Sequence, residues 1–110
     1  DTLIGGPGAD TFAGDAGTDT LVWSNGDGSD VMDGGADADT VLVNGSTTAD
    51  DVFTVGAGTG GRLAFARTSP GPFALDIGTV QTLRVNGAGG NDRFSVNSLA
   101  GVIDLQTIAL

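Results

Sequence analysis

The chain has 110 residues, with 14 acidic and 4 basic side chains, neither histidine nor cysteine, and a formal net charge of −10. That length bounds one domain or one piece of a longer repeat protein, and the missing cysteines exclude disulfides and thiolate metal sites. The negative sign excludes a nucleic-acid binder, no apolar run approaches the roughly 18 residues of a membrane span, and the first residues do not read as a signal peptide.

Every acidic residue is Asp and every basic one Arg. Asp is a turn former and a short oxygen ligand, so the bias favours turns and hard cations over helices. Residues 1–51 hold eleven Asp and no Arg, a net of −11, whereas residues 52–110 hold three Asp and four Arg, a net of +1. The acidic part repels itself and is expected to stay unfolded until cations neutralise it.

The acidic part repeats every nine residues. Gly5 to Ala13 (GGPGADTFA) runs directly into Gly14 to Val22 (GDAGTDTLV); Trp23 and Ser24 intervene; Asn25 to Asp33 (NGDGSDVMD) and Gly34 to Leu42 (GGADADTVL) restore the frame. Asp1 to Ile4 reads as the last four residues of a further unit. Small or turn residues come first, Asp sits sixth and a large apolar residue eighth. Glycine supplies the positive φ angles of a tight turn, and the residues after each turn read as a short strand. The pattern resembles the glycine-rich nonapeptide repeat of the repeats-in-toxin (RTX, hemolysin-type) family, which implies an all-β fold, a calcium-binding parallel β-roll over residues 1–42. In such a roll Leu3, Phe12, Leu21, Met32 and Val41 form the inner core. Two repeats make one circuit, so the Asp10 turn stacks on the Asp30 turn, and the Asp19 turn lies between those of Asp1 and Asp39.

An ion between stacked turns is expected to take two backbone carbonyls from each turn and both sixth-position carboxylates, six oxygens in all, a count that suits Ca²⁺ better than Mg²⁺. The first site uses Gly6, Gly8 and Asp10 with Asn25, Asp27 and Asp30. The second uses Asp15, Gly17 and Asp19 with Gly34, Ala36 and Asp39. Asp1 with Gly14, Ala16 and Asp19 makes a half site, and the outer sides of the Asp30 and Asp39 turns make others, so the count is two full sites and up to three or four. Asp37 replaces a fourth-position glycine, which implies a distorted turn or an extra carboxylate, and the Asp15 side chain is expected in solvent. Trp23–Ser24 is expected to bulge the chain and to threaten the Asp10–Asp30 register.

The remainder is β-rich without the nine-residue period. Val52 to Val55 and Arg62 to Arg67 read as strands joined by a Gly-rich turn, and Phe73, Leu75 and Ile77 alternate onto one face. Val43-Asn44-Gly45, leading to Asp51-Val52-Phe53, is echoed 42 residues later by Val85-Asn86-Gly87, leading to Asp92-Arg93-Phe94. We read both as larger, irregular β-solenoid coils continuing the first core, so that residues 1–51 (RTX-type β-roll) and 52–110 (solenoid continuation) form one domain. Gly87 to Ser95 reads as a lone degenerate repeat without a stacked partner, and Ile103 to Leu110 as a strand.

Asp33, Asp50, Asp76 and Asp104 read as solvated turn residues, Trp23 as a corner-packing residue and the four Arg as surface partners of nearby Asp. Without His, Cys, Lys, Glu or Tyr the usual activated nucleophiles are missing, so no enzyme is expected. The function expected is a bacterial, secreted, extracellular calcium-binding module that folds on Ca²⁺ and serves a structural role in a larger protein. Its rival is a self-assembling or adhesive component of a fibre or matrix, stacking head to tail with Leu110 of one copy near Asp1 of the next.

Overall fold

The computed structural model describes residues 1–46, 48–69, 71–102 and 105–109. Among them the fold is all-β, apart from a 3₁₀ turn at Thr59–Gly61. The strands are β1 (Thr2–Ile4), β2 (Thr11–Ala13), β3 (Thr20–Ser24), β4 (Asp30–Asp33), β5 (Thr40–Asn44), β6 (Val52–Ala57), β7 (Leu63–Ser69), β8 (Phe73–Gly78), β9 (Thr82–Asn86), β10 (Arg93–Val96) and β11 (Thr107–Ala109). They form two sheets. One runs β1-β3-β5-β9-β11 and is parallel throughout. The other runs β10-β6-β7-β8-β4-β2 and is mixed.

Through β5 the chain changes sheet at every repeat. A Gly-Asp hexapeptide reverses direction, three to five residues extend, and the eighth-position side chain turns inward because strand side chains alternate faces. Leu21 therefore pairs with Val41 and Phe12 with Met32, and all four are buried. Leu3 is only partly covered, at the edge of its sheet.

The Trp23–Ser24 insertion produces no bulge. It lengthens β3, whose five residues pair one to one with β5, from Thr20↔Thr40 to Ser24↔Asn44. Trp23 turns into the core, stacks on Phe73 with ring centroids 3.8 Å apart, and donates from its indole N–H to Gly28 O at 2.7 Å.

The second half departs from a simple continuation of parallel coils. Strands β6, β7 and β8 form an antiparallel meander that places three successive strands in one sheet and none in the other. The cause is loop length: residues 58–62 allow a hairpin, whereas a parallel return needs a dozen residues or more. Gly60 and Gly61, with φ of 68° and 81°, make the reversal. After the meander, β8 lies against β4, β9 against β5 and β10 against β6, all parallel.

Phe53, Phe65, Leu75, Ile77 and Leu83 join Phe12, Leu21, Met32 and Val41 in one buried cluster. The 42-residue echo is a stacking register, Val43↔Val85 and Asn44↔Asn86. At the C-terminus β11 pairs with β9. Ile103, Asp104 and Leu110, on which the expected strand, a solvated Asp and the end-to-end junction fell, lie outside the described residues. Among the described residues no helix is long and apolar enough to cross a membrane.

Candidate metal centre

Four hexapeptide turns, 5–10, 14–19, 25–30 and 34–39, share one backbone pattern. The second and fourth residues of each have positive φ: Gly6 and Gly8, Asp15 and Gly17, Gly26 and Gly28, Gly35 and Asp37. Six of these eight are glycine because a Cβ is strained there; Asp tolerates the conformation better than most residues. Asp37 thus keeps the turn, and its carboxylate accepts the Gly17 N–H of the neighbouring turn at 3.0 Å.

The turns stack in the expected order and are joined through the sixth-position Asp. The Asp10 N–H donates to Asp30 Oδ1 at 2.8 Å, and the Asp19 N–H to Asp39 Oδ1 at 2.8 Å. The Asp1 amino nitrogen donates to Asp19 Oδ1 at 2.6 Å. Each link uses Oδ1 and leaves Oδ2. Asp10, Asp19, Asp30 and Asp39 each bury an Oδ2 without a hydrogen-bond partner among the described residues. Four unpartnered carboxylate oxygens are costly unless a cation balances them.

First-position glycines make room for those oxygens. A Cβ on Gly14 would fall 2.7 Å from Asp19 Oδ2 and 2.5 Å from Gly34 O. One on Gly34 would fall 2.6 Å from Asp39 Oδ2, and one on Gly5 would fall 2.8 Å from Asp10 Oδ2. Backbone carbonyls of one turn also lie close to glycines of the next. Gly34 O faces Gly14, Gly8 O faces Gly28, and Asp15 O faces Gly35 while accepting the Ala36 N–H at 2.9 Å. Among the described residues no three acidic side chains converge as a metal cluster. A bound ion therefore relies on paired carboxylates and carbonyl oxygens, the hard donor set that suits Ca²⁺. The residues present fit the ion. Burial raises the Asp30 carboxyl above the ordinary carboxylate range; the Asp10 N–H opposes this, and the Asp10 and Asp27 charges add to it.

The other expected site residues divide. Asp1, Gly14 and Asp19 come together, and Gly6 lies in its turn at positive φ. The Asp15 side chain and Ala16 are exposed, and Gly17 meets Asp37. Asp27 uses its carboxylate to accept the Ser24 N–H at 2.9 Å, closing its own turn. The Asn25 side chain is directed to Arg67.

Three sequence readings are corrected. The 87–92 turn is not alone. It repeats the positive φ at its second and fourth residues, Ala88 and Gly90, and stacks on Asp50 and Asp51. The Asp51 N–H donates to Asp92 Oδ1 and the Asn91 N–H to Asp50 Oδ1, so Asp50 is a turn clasp and not merely solvated. Asp33 and Asp76 are both paired with Arg62, half-exposed, and those two hydrogen bonds raise the guanidinium pKa. Arg67 is buried, not a surface partner, and pairs with Asp51 at 3.0 Å. Sequence reasoning also missed Gln81, whose Oε1 accepts the Asp39 N–H at 2.7 Å where the next Asp of the stack is expected.

Stacked glycine turns joined by half-partnered buried carboxylates define a cation-binding repeat protein. Residues 1–22 and 26–45 match the RTX calcium-binding nonapeptide repeat, in four copies, so this part of the chain is similar to repeats that bind Ca²⁺. The break between the matched stretches falls at the Trp23–Ser24 insertion. Comparison with curated proteins and with solved structures gives no match.

Proposed function

We propose that the chain is a calcium-binding β-roll module that folds on Ca²⁺ outside the cell and serves as a structural and folding element of a larger secreted protein. Residues 1–51 form the RTX-type roll, and residues 52–110 continue it on a shared core as one domain. The observation that carries this reading is the set of four Asp that each bury an Oδ2 without a hydrogen-bond partner among the described residues. Asp10 with Asp30, and Asp19 with Asp39, would hold one ion each, together with carbonyls of their turns. The ion supplies positive charge and a coordination shell for oxygens that otherwise destabilise the folded state.

The extracellular setting is supported by chemistry. A −11 segment needs abundant divalent cation to fold, and modules of this kind bind on the order of 10⁻⁴ to 10⁻³ M, which suits external calcium and not cytosolic levels. The reading is non-catalytic, since the repeat already accounts for the buried acids. Isothermal titration with CaCl₂ on chelator-stripped protein tests it: at least two calcium ions per chain are expected, falling by at least one in Asp19→Asn/Asp39→Asn. Absence of binding by the unaltered chain would remove the reading.

A further inference from the structure

The parallel register breaks at one place in the acidic stack. On the side of the molecule where the 5–10 and 25–30 turns lie, the next Asp to lead into a strand is Asp51, but the β6–β8 meander separates its strand β6 from β4. In a regular stack Asp30 would donate its N–H to the carboxylate of the next sixth-position Asp, as Asp10 donates to Asp30 and Asp51 donates to Asp92. Asp51 holds that sixth-position role: Gly45 lies against its Oδ2, as Gly14 lies against Asp19 Oδ2. Its Oδ1 instead receives Arg67 Nη1 at 3.0 Å, and the same Nη1 donates to Asn25 Oδ1, at the head of the 25–30 turn, at 2.7 Å.

Asp51 also differs from the repeat aspartates in having both oxygens partnered, Oδ1 by Arg67 and Oδ2 by the Ser46 N–H at 3.0 Å. Arg67 and Asp51 are 4% and 0% exposed. The guanidinium is fixed by Nε donating to Gly71 O at 2.9 Å and lies 5.3 Å and 5.0 Å from the ring centroids of Trp23 and Phe73. That environment favours a planar cation over a hydrated metal ion.

We infer that Arg67 is the resident cation of a third place in the stack, between the 25–30 turn and Asp51, doing there the charge-balancing that Ca²⁺ does between the RTX repeats. The meander β6–β8 consequently holds its structure without calcium, and the calcium-dependent part ends at the 25–30 turn on this side. This rests on the calcium reading only for what occupies the other gaps.

The test uses the whole 110-residue chain and amide hydrogen exchange of β6 to β8, in EDTA and in 10 mM CaCl₂ (on the order of ten times the upper end of the expected affinity range). In the unaltered chain β6 to β8 stay protected in EDTA. Arg67→Gln loses that protection in EDTA and regains it in calcium, which enters the vacated place and adds one bound ion. Arg67→Gln/Asp51→Asn is protected in EDTA, because the uncompensated carboxylate is gone, and gains nothing from calcium. An unaltered chain unprotected in EDTA overturns the inference, as does an Arg67→Gln variant that keeps full protection there. If Arg67→Gln is unprotected in both conditions, protection in the double variant supports the charge role and its absence overturns it in favour of packing on Trp23. Failure of the unaltered chain to bind calcium removes the calcium reading but leaves its exchange result in EDTA standing.

Discussion

Asp19 and Asp33 are both acidic residues of the repeats, yet they sit in opposite circumstances. Asp19 is buried with its Oδ2 against Gly14 and without a partner among the described residues, while Asp33 is half-exposed and paired with Arg62. Asp19→Asn should weaken calcium binding by about tenfold or more. Asp33→Asn should leave binding unchanged and cost at most about 1 kcal/mol through its exposed ion pair. Calorimetric titration of the two variants separates them, and equal losses would contradict the assignment. The glycines divide on similar grounds. An alanine Cβ at Gly34 would meet Thr79 O at 2.5 Å and Asp39 Oδ2 at 2.6 Å, whereas at Gly6 it would find open space but a φ of 74°. Gly34→Ala should destabilise the calcium-loaded protein by about 3 kcal/mol and Gly6→Ala by about 1 kcal/mol; thermal melting in calcium with the reverse ranking would contradict this. The sixth-position Asp residues were legible because one frame position recurs with Gly and an apolar residue in register. Gln81 escaped because a frame anchored on Asp passes over an amide. Yet Gln81-Thr82-Leu83-Arg84-Val85-Asn86-Gly87 repeats the Asp39 to Gly45 run at the same 42-residue offset. Arg67 escaped because arginine is rarely buried, although it falls in the inward phase of β7 after Leu63 and Phe65.

Among the elements, the strand positions and inward faces follow from alternation, and the stacking of the first five strands follows from the period. The pairing of the second half does not. Which of β6, β7 and β8 lie antiparallel is decided by the reach of the 58–62 loop, and the placement of β8 against β4 is a long-range choice that no local pattern encodes. The mixed sheet predicts unequal calcium dependence of the core. Phe65, fully buried in the meander with Phe53 and Phe73 centroids 5.4 Å and 6.0 Å away, should cost about 3–5 kcal/mol as Phe65→Ala in both chelator and calcium. Phe12→Ala, in a strand whose turns carry unbalanced carboxylates, should register only in the calcium-loaded form. Denaturant unfolding of both variants in the two conditions checks this, and a Phe65→Ala effect confined to calcium would contradict it.

For the molecule as a whole, charge decides. Burial holds the Asp30 and Asp51 carboxyls above their ordinary values, with Arg67 and the Ser46 N–H opposing the rise at Asp51. Each folded-state pKa lies above the unfolded value, so in this window the folded chain binds protons that the unfolded chain has released. The stability they contribute is full below the unfolded pKa and is lost as pH rises through the folded one. In chelator, where the meander alone holds its structure, its melting temperature should therefore rise as pH falls from 7 toward the carboxylate range, through Asp51 and through the shrinking net charge of −10. A fall over that interval would contradict the assignment. The central claim, that calcium supplies the charge and oxygen shell the acidic half lacks, meets its most direct test in circular dichroism of the whole chain titrated with CaCl₂ from EDTA. A cooperative gain of β signal is expected with a midpoint on the order of 10⁻⁴ to 10⁻³ M, and no comparable gain with Mg²⁺. Identical spectra in chelator and in excess calcium would contradict the account.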